Sequence, residues 1–376
     1  MINQMNPTLR AAQLSGIRVI TAMAQEIPDC VLLSIGEPDF DTPEIVRQAA
    51  KEALDAGLTH YPPTPGVPAF LEAISEFERK KGYDYAPNEI VATIGATEGL
   101  SLVFRGILNP GDEVIVPTPY FGMYRQIIEL AGGVMVPLDT AKDDFQITRE
   151  KLLAAISPKT KGILLNSPNN PTGVCYHQET LEMLKEELEK RKIFVVCDDV
   201  YDRLVYKPCK SFAQFRELKD RMIVVQSFSK PYAMTGWRLG YVMADAPIAA
   251  ELSKLHLYTC TCIPSFIQYA GMQALQYDPA EMVETYRRRR DYVCSRIAGM
   301  GLELVKPEGA FYCFPSIQKL GMDSETFGMR LLKEAKVAVV PGKFFDGEGF
   351  VRISYCYSDE GLEKGMDRME RFLRNL

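Results

Sequence analysis

Long apolar runs are missing from this 376-residue sequence: none approaches the roughly 18 consecutive residues that a membrane span requires. Excess positive charge is missing as well. Lys and Arg number 43 against 49 Asp and Glu, and a net charge of -6 argues against the basic footprint of a nucleic-acid binder. The three histidines, His60, His177 and His256, lie far apart in the sequence and give a histidine-rich metal centre little to work with, so no metal ligands are assigned. Cysteine is present, but its pattern says little: nine residues, an odd number, without a framework and without a signal peptide ahead of them. Cys260 and Cys262 in YTCTCIP come nearest to a ligand pair, yet one intervening residue and no second pair argue against zinc. The cysteines are expected to be small buried hydrophobes in a reducing, cytoplasmic compartment.

The rest of the composition is that of a globular enzyme, 47% apolar and 24% charged. Short β-branched runs alternate with amphipathic stretches such as TLEMLKEELEKRK. Seven runs read as strands: IVATI, EVIVP, VMVPL, GILLN, IFVVCD, MIVVQS and LGYVMA, beginning at positions 90, 113, 134, 162, 193, 222 and 239. Few show the period-two alternation of a half-exposed strand, which predicts a sheet covered on both faces. The expected fold class is α/β: a mainly parallel seven-stranded sheet in a large domain, plus a smaller α/β domain. The expected boundaries are an N-terminal segment over 1–40 that packs with the small domain, a large domain over 41–280 and a small domain over 281–376. In the last region GLELVKP, AFYCF, VAVVP and FVRISYC read as shorter strand-like pieces. The arginine run YRRRRDY, 286–292, is expected to be a solvated helix face with pairing inside the helix.

Ligands of open α/β sheets sit beyond the carboxyl ends of the strands. Five of those ends carry polar clusters: Gly95-Ala96-Thr97-Glu98, Thr118-Pro119-Tyr120-Phe121, SPNNPTG with Asn170, Asp198-Asp199-Val200-Tyr201, and Ser227-Phe228-Ser229-Lys230. Together they offer an anion cradle, an aromatic plate, an amide, a carboxylate with a phenol, and a lysine. These parts suit pyridoxal 5'-phosphate, a flat phosphorylated aldehyde that needs an amine, an acid at its ring nitrogen and a phosphate site. The helix opening at Gly95 provides backbone N–H donors for a phosphate, and Ser227 and Arg238 add hydroxyl and guanidinium donors. Arg238 is also expected to lower the Lys230 pKa electrostatically.

The stretch SFSKPYAMTGWRLG resembles the lysine motif of class I/II pyridoxal-phosphate aminotransferases, of fold type I. The resemblance spans nearly the whole chain, since LLSIGEPDF, HYPPTPGVPAFLEAI, TIGATEGL, PTPYFGMY, NSPNNPTG, CDDVYDRLVY, EGAFYCFP and FVRISYC follow the family's order. QLSGIR and KPEGAFYCFPSI are similar to bacterial aromatic-amino-acid and N-acetyl-diaminopimelate aminotransferases. The resemblance implies that Lys230 forms the Schiff base and shuttles the proton, with Asp198 at the ring nitrogen and Tyr201 and Asn170 at the ring oxygen. It places Phe121 against the ring, and leaves Asp199 as a solvated strand-end acid. Tyr61 would reach the phosphate in a neighbouring subunit, making a homodimer with shared sites, while Gly36 and Arg352 would clamp the substrate α-carboxylate. The implied reaction is ping-pong exchange, through aldimine and ketimine, between an L-amino acid and a 2-oxo acid such as 2-oxoglutarate. Ile17, Arg18, Tyr120, Tyr124, Tyr258 and Thr259 are the candidates for the side-chain pocket. Ile17 and the tyrosines suit aromatic or long side chains, whereas Arg18 suits a second carboxylate, as in glutamate or a diaminopimelate derivative. A carbon–sulfur β-lyase, built on the same lysine and fold, stays open as an alternative.

Overall fold

The seven apolar runs form a single sheet in the computed structural model, which describes residues 1–12 and 14–376. Gln13, the first residue of QLSGIR, lies outside the described residues. The strands are β1 (Ile90–Thr93), β2 (Glu113–Thr118), β3 (Val134–Asp139), β4 (Thr160–Asn166), β5 (Phe194–Asp198), β6 (Met222–Ser227) and β7 (Gly240–Ala244). Their order across the sheet is β1-β7-β6-β5-β4-β2-β3; β7 runs antiparallel to both neighbours and every other pair is parallel. Alternate residues feed two separate cores. Val196, Ile223, Val225 and Val242 pack on one side, and Val195, Val224, Tyr241 and Met243 on the other. Two covered faces explain why the runs lack alternation.

Register decides what the sheet presents at its edge. Asn166 pairs with Asp198, Asp198 with Val225, and Ser227 with Gly240, so the polar ends of β4, β5 and β6 lie side by side. Helices α1 (Gly16–Gln25), α2 (Gly95–Ile107), α3 (Tyr124–Leu130), α4 (Ala246–Cys260), α5 (Ala280–Gly299) and α6 (Asp359–Arg374) supply the other pieces that matter for function. Among the described residues, no helix is long and apolar enough to cross a membrane.

A second, smaller layer holds a three-stranded antiparallel sheet of Val340–Pro341, Val351–Ser354 and Tyr312–Cys313. Val31–Leu32 pairs in parallel with Val337–Ala338, and Leu33 joins the core formed by Ile353, Phe327 and Met366. GLELVKP forms no strand.

Two expectations are corrected by the packing. The arginine run is not simply a solvated face: Arg289 is buried and bonds Asp39 through both Nη atoms, at 2.8 and 2.9 Å, and Asp359 through Nε at 3.0 Å. Arg290, also buried, lies over the Tyr206 ring and donates to the Pro307 carbonyl. Arg287, with Glu284, and Arg290, with Asp291, also pair within the helix as expected. The cysteines are not all free either. Cys175 and Cys209, 34 residues apart, form a disulfide with a Cα–Cα distance of 6.3 Å. It ties the loop after Asn170 to the loop after Tyr206, two segments that only the tertiary fold brings together.

Candidate active site

Beyond the carboxyl ends of β4, β5 and β6 lies a cavity of about 630 Å³ whose lining includes Asn170, Asp198, Tyr201, Ser227, Lys230 and Arg352. Lys230 follows β6 directly, and its Nζ donates to the Gly36 carbonyl at 2.6 Å. Its pKa is lowered to about 8, chiefly because burial penalises the ammonium form; Arg352 and Arg238 add smaller repulsions. Arg238 thus acts in the expected direction, but burial is the main cause.

Asp198 ends β5 and is buried, with Tyr124 donating its hydroxyl to Oδ2 at 2.5 Å. Burial raises its carboxyl to about 6, against the opposing hydrogen bonds from Tyr124 and the Val200 N–H. Asn166 anchors the strand end by donating to the Asp198 carbonyl at 2.8 Å and accepting the Asn170 N–H at 2.9 Å. Asp199 is not the solvated acid expected. It is buried, accepts from Ser211 Oγ at 2.5 Å, and burial pushes its carboxyl up to about 8.

Arg352, on the small antiparallel sheet, is 1% exposed despite its charge. Its Nη1 donates to Asn170 Oδ1 at 2.9 Å, its Nη2 to the Ser34 carbonyl, and its guanidinium lies 4.5 Å from the centre of the Tyr312 ring. Its Nε has no partner among the described residues. Tyr312, which the sequence reading left without a role, connects this cluster: its hydroxyl is 2.9 Å from that of Tyr201 and occupies the space where a Cβ on Gly36 would point. Its only signal in the sequence is its place inside EGAFYCFP.

Where α2 opens, Gly95 has φ +69°, a left-handed conformation that favours glycine, and a Cβ there would meet Arg238 Nη2 at 2.6 Å. Ala96, Thr97, Ser227 and Arg238 line the cavity. Phe121 lines it too and meets Tyr124 edge-on at 5.6 Å.

The remaining candidates divide. Ile17 and Arg18, on α1, face the cavity together with Thr21, Gln25 and Met123. Tyr120 does not line it, and its hydroxyl is engaged with Asp346 and Arg125. Tyr124 lines the cavity but is committed to Asp198. Tyr61 and Tyr258, 89% and 81% exposed, do not line this chain's own cavity, and Thr259 accepts a hydrogen bond from Arg105 outside it.

Comparison with known proteins agrees with this geometry. The family model for aminotransferase class I and II matches residues 28–369, and the chain belongs to that family. It is 41% identical to a probable N-acetyl-LL-diaminopimelate aminotransferase of Bacillus subtilis, covering 99% of this chain and 96% of that protein. It is 40% identical to aromatic-amino-acid aminotransferase 2 of Thermococcus litoralis, covering 96% of each. The solved aspartate aminotransferase of Thermotoga maritima superposes with a TM-score of 0.95 at 38% identity, over 98% of this chain and all of that one. The protein is therefore a pyridoxal-phosphate-dependent aminotransferase of fold type I. Its cavity fits that cofactor: a buried amine of lowered pKa, a buried carboxylate, and a glycine-opened helix beside a guanidinium surround one space.

Proposed function

We propose that this aminotransferase accepts an L-amino acid with an aromatic or long side chain and exchanges its amino group with a 2-oxo acid such as 2-oxoglutarate. The observation that carries the assignment of roles is the convergence of Lys230, Asp198 and Arg352 on one cavity. Pyridoxal phosphate, when bound, supplies the electron sink for charge that develops at the substrate Cα. Lys230 Nζ takes the Cα proton and returns it, a task suited to an amine whose pKa of about 8 leaves a substantial neutral fraction near physiological pH. Asp198 holds a negative charge against the ring nitrogen, Tyr201 and Asn170 serve the ring oxygen, and Phe121 covers the ring face. Gly95, Ala96, Thr97, Ser227 and Arg238 receive the phosphate. Arg352, whose planar fork matches a carboxylate, orients the substrate with the Gly36 backbone.

The cavity volume and the mixed wall of Ile17, Thr21, Gln25 and Met123 support a long side chain. Arg18 supports a second reading, a donor with a distal carboxylate such as an acylated diaminopimelate, because it faces the cavity and makes no ion pair among the described residues. Absorbance titration of the cofactor-loaded enzyme with single amino acids separates the two. Conversion to the pyridoxamine form by aromatic amino acids supports the first reading; conversion only by the acylated diamino acid replaces it with the second.

The same proposal includes a homodimer in the cytoplasm. Tyr61 supports the dimer, being exposed on its own chain and free to reach the phosphate end of a second copy. Seven of the nine cysteines are free, which favours a reducing compartment, while the Cys175–Cys209 disulfide is unusual for one. The proposed division at 40 and 280 is supported by the separate cores under the two sheets.

A further inference from the structure

We propose that Glu98, His256 and Cys260 form a binding site for one thiophilic divalent ion of the zinc type, outside the cavity described above. Glu98 lies on α2, and His256 and Cys260 lie four residues apart on α4, the spacing that puts two side chains on one helix face. Glu98 Oε1 is 3.3 Å from His256 Nδ1, and Cys260 Sγ is 3.4 Å from the same nitrogen. All three ligand atoms fall within 4.8 Å of one another. Ligands held about 2.0–2.3 Å from a tetrahedral zinc stand ~3.3–3.8 Å apart, so the cluster already has nearly the required span.

Each ligand is positioned by its surroundings. The His256 side chain is fully buried, and among the described residues its ring nitrogens meet only Glu98 and Cys260. Glu98 accepts the Ile94 N–H through Oε2 at 3.2 Å, which leaves Oε1 turned toward the histidine. Cys260 Sγ is nearly equidistant from both ring nitrogens, at 3.4 and 3.5 Å, so it lies over the imidazole face, and ligation beside Nδ1 requires its side chain to turn toward the ring plane. Metal capture would form an S–metal bond and release the thiol proton to solvent. Glu98 and Cys260 retain partial exposure, which gives the ion a path in and leaves a fourth position for water. The other cluster of this kind among the described residues, Cys175, Cys209 and Glu308, has its two sulfurs joined in the disulfide and offers no thiolate. The spacing CTC hid the site because its partners stand at 98 and 256.

The test is titration of the chelator-treated, cofactor-loaded enzyme with Co²⁺, followed by its visible and near-ultraviolet absorbance. The expected result is one ion bound per chain, with tetrahedral ligand-field bands and a sulfur-to-cobalt charge-transfer band that Zn²⁺ displaces. Cys260→Ser, a small change at a partly exposed position, should abolish the charge-transfer band. His256→Gln should weaken binding by more than the ~10–100-fold that loss of an outer-shell partner costs. Absence of stoichiometric uptake would overturn the proposal and leave the cluster as a polar contact between two helices. Uptake unchanged in both variants, or a charge-transfer band that persists in Cys260→Ser and vanishes in Cys262→Ser, would overturn it as well.

Discussion

Tyr124 donates its hydroxyl to Asp198 Oδ2 at 2.5 Å, with both side chains buried and the two residues 74 positions apart. Tyr124 opens α3 and packs edge-on to Phe121. Its own pKa is raised well above the usual phenol range by burial and by the Asp198 charge, so it remains a donor throughout the working pH range. The bond favours the ionised carboxylate against the burial that disfavours it.

Tyr124→Phe removes that donor without removing the ring. The Asp198 pKa then rises beyond about 6, and the acidic limb of the kcat/KM profile moves to higher pH. A hydrogen bond to a charged group contributes about 1.5–3 kcal/mol, which corresponds to a ~10–100-fold weakening of cofactor retention. Profiles and cofactor dissociation rates measured side by side check this. An unmoved acidic limb would reduce Tyr124 to a packing residue.

Lys230→Met is expected to lower the transamination rate by at least ~10²–10⁴-fold, the range that a positioned acid–base group contributes. Stability should not suffer. A lysine lowered from 10.5 to about 8 is disfavoured by folding wherever the unfolded chain keeps it charged, so methionine removes a cost that is largest below about pH 8. Thermal melts across pH 6–10, with single-turnover kinetics, test both halves.

Arg352→Lys keeps the charge but loses the fork and the contact with the Tyr312 ring. Losing one of the fork's hydrogen bonds to a charged carboxylate costs about 1.5–3 kcal/mol, so kcat/KM should fall by at least ~10-fold for every α-amino acid tested. A loss confined to one substrate would point to the side-chain pocket instead.

Asp199→Asn preserves the acceptor for Ser211 and removes the titration. Because the folded pKa is raised to about 8 from 3.8, the folded state binds the extra proton between those values, and stability falls as pH rises through that window. The variant should match the wild type near pH 4 and exceed it by about 1 kcal/mol or more near pH 9. Denaturant unfolding at the two pH values gives the difference directly.

The sheet was legible because its strands are buried on both faces, and that burial leaves contiguous β-branched runs in the sequence. The strand ends were legible too, since a lysine, an aspartate and an amide after core strands are out of place in a core. The contacts between them were not. Tyr201 meets Tyr312 across 111 residues and Arg352 meets Asn170 across 182, distances over which no local pattern survives. Tyr120 was assigned to the pocket from its place in PTPYFGMY, and a motif position does not reveal which way a ring faces. The cysteine pair and the buried Arg289 were missed for the same reason, their partners being set by loop placement.

Two backbone carbonyls, those of Ser34 and Gly36, are each held by a cation to which the reaction is assigned, Arg352 and Lys230. A substrate carboxylate that engages Arg352, or a carbonyl that engages Lys230, competes with the chain itself. Observed affinity is therefore a difference between two sets of hydrogen bonds, each worth about 1 kcal/mol net. The segment from Ser34 to Gly36 registers that competition. Amide exchange along it should report how fully the site is occupied, without any label placed in the cavity.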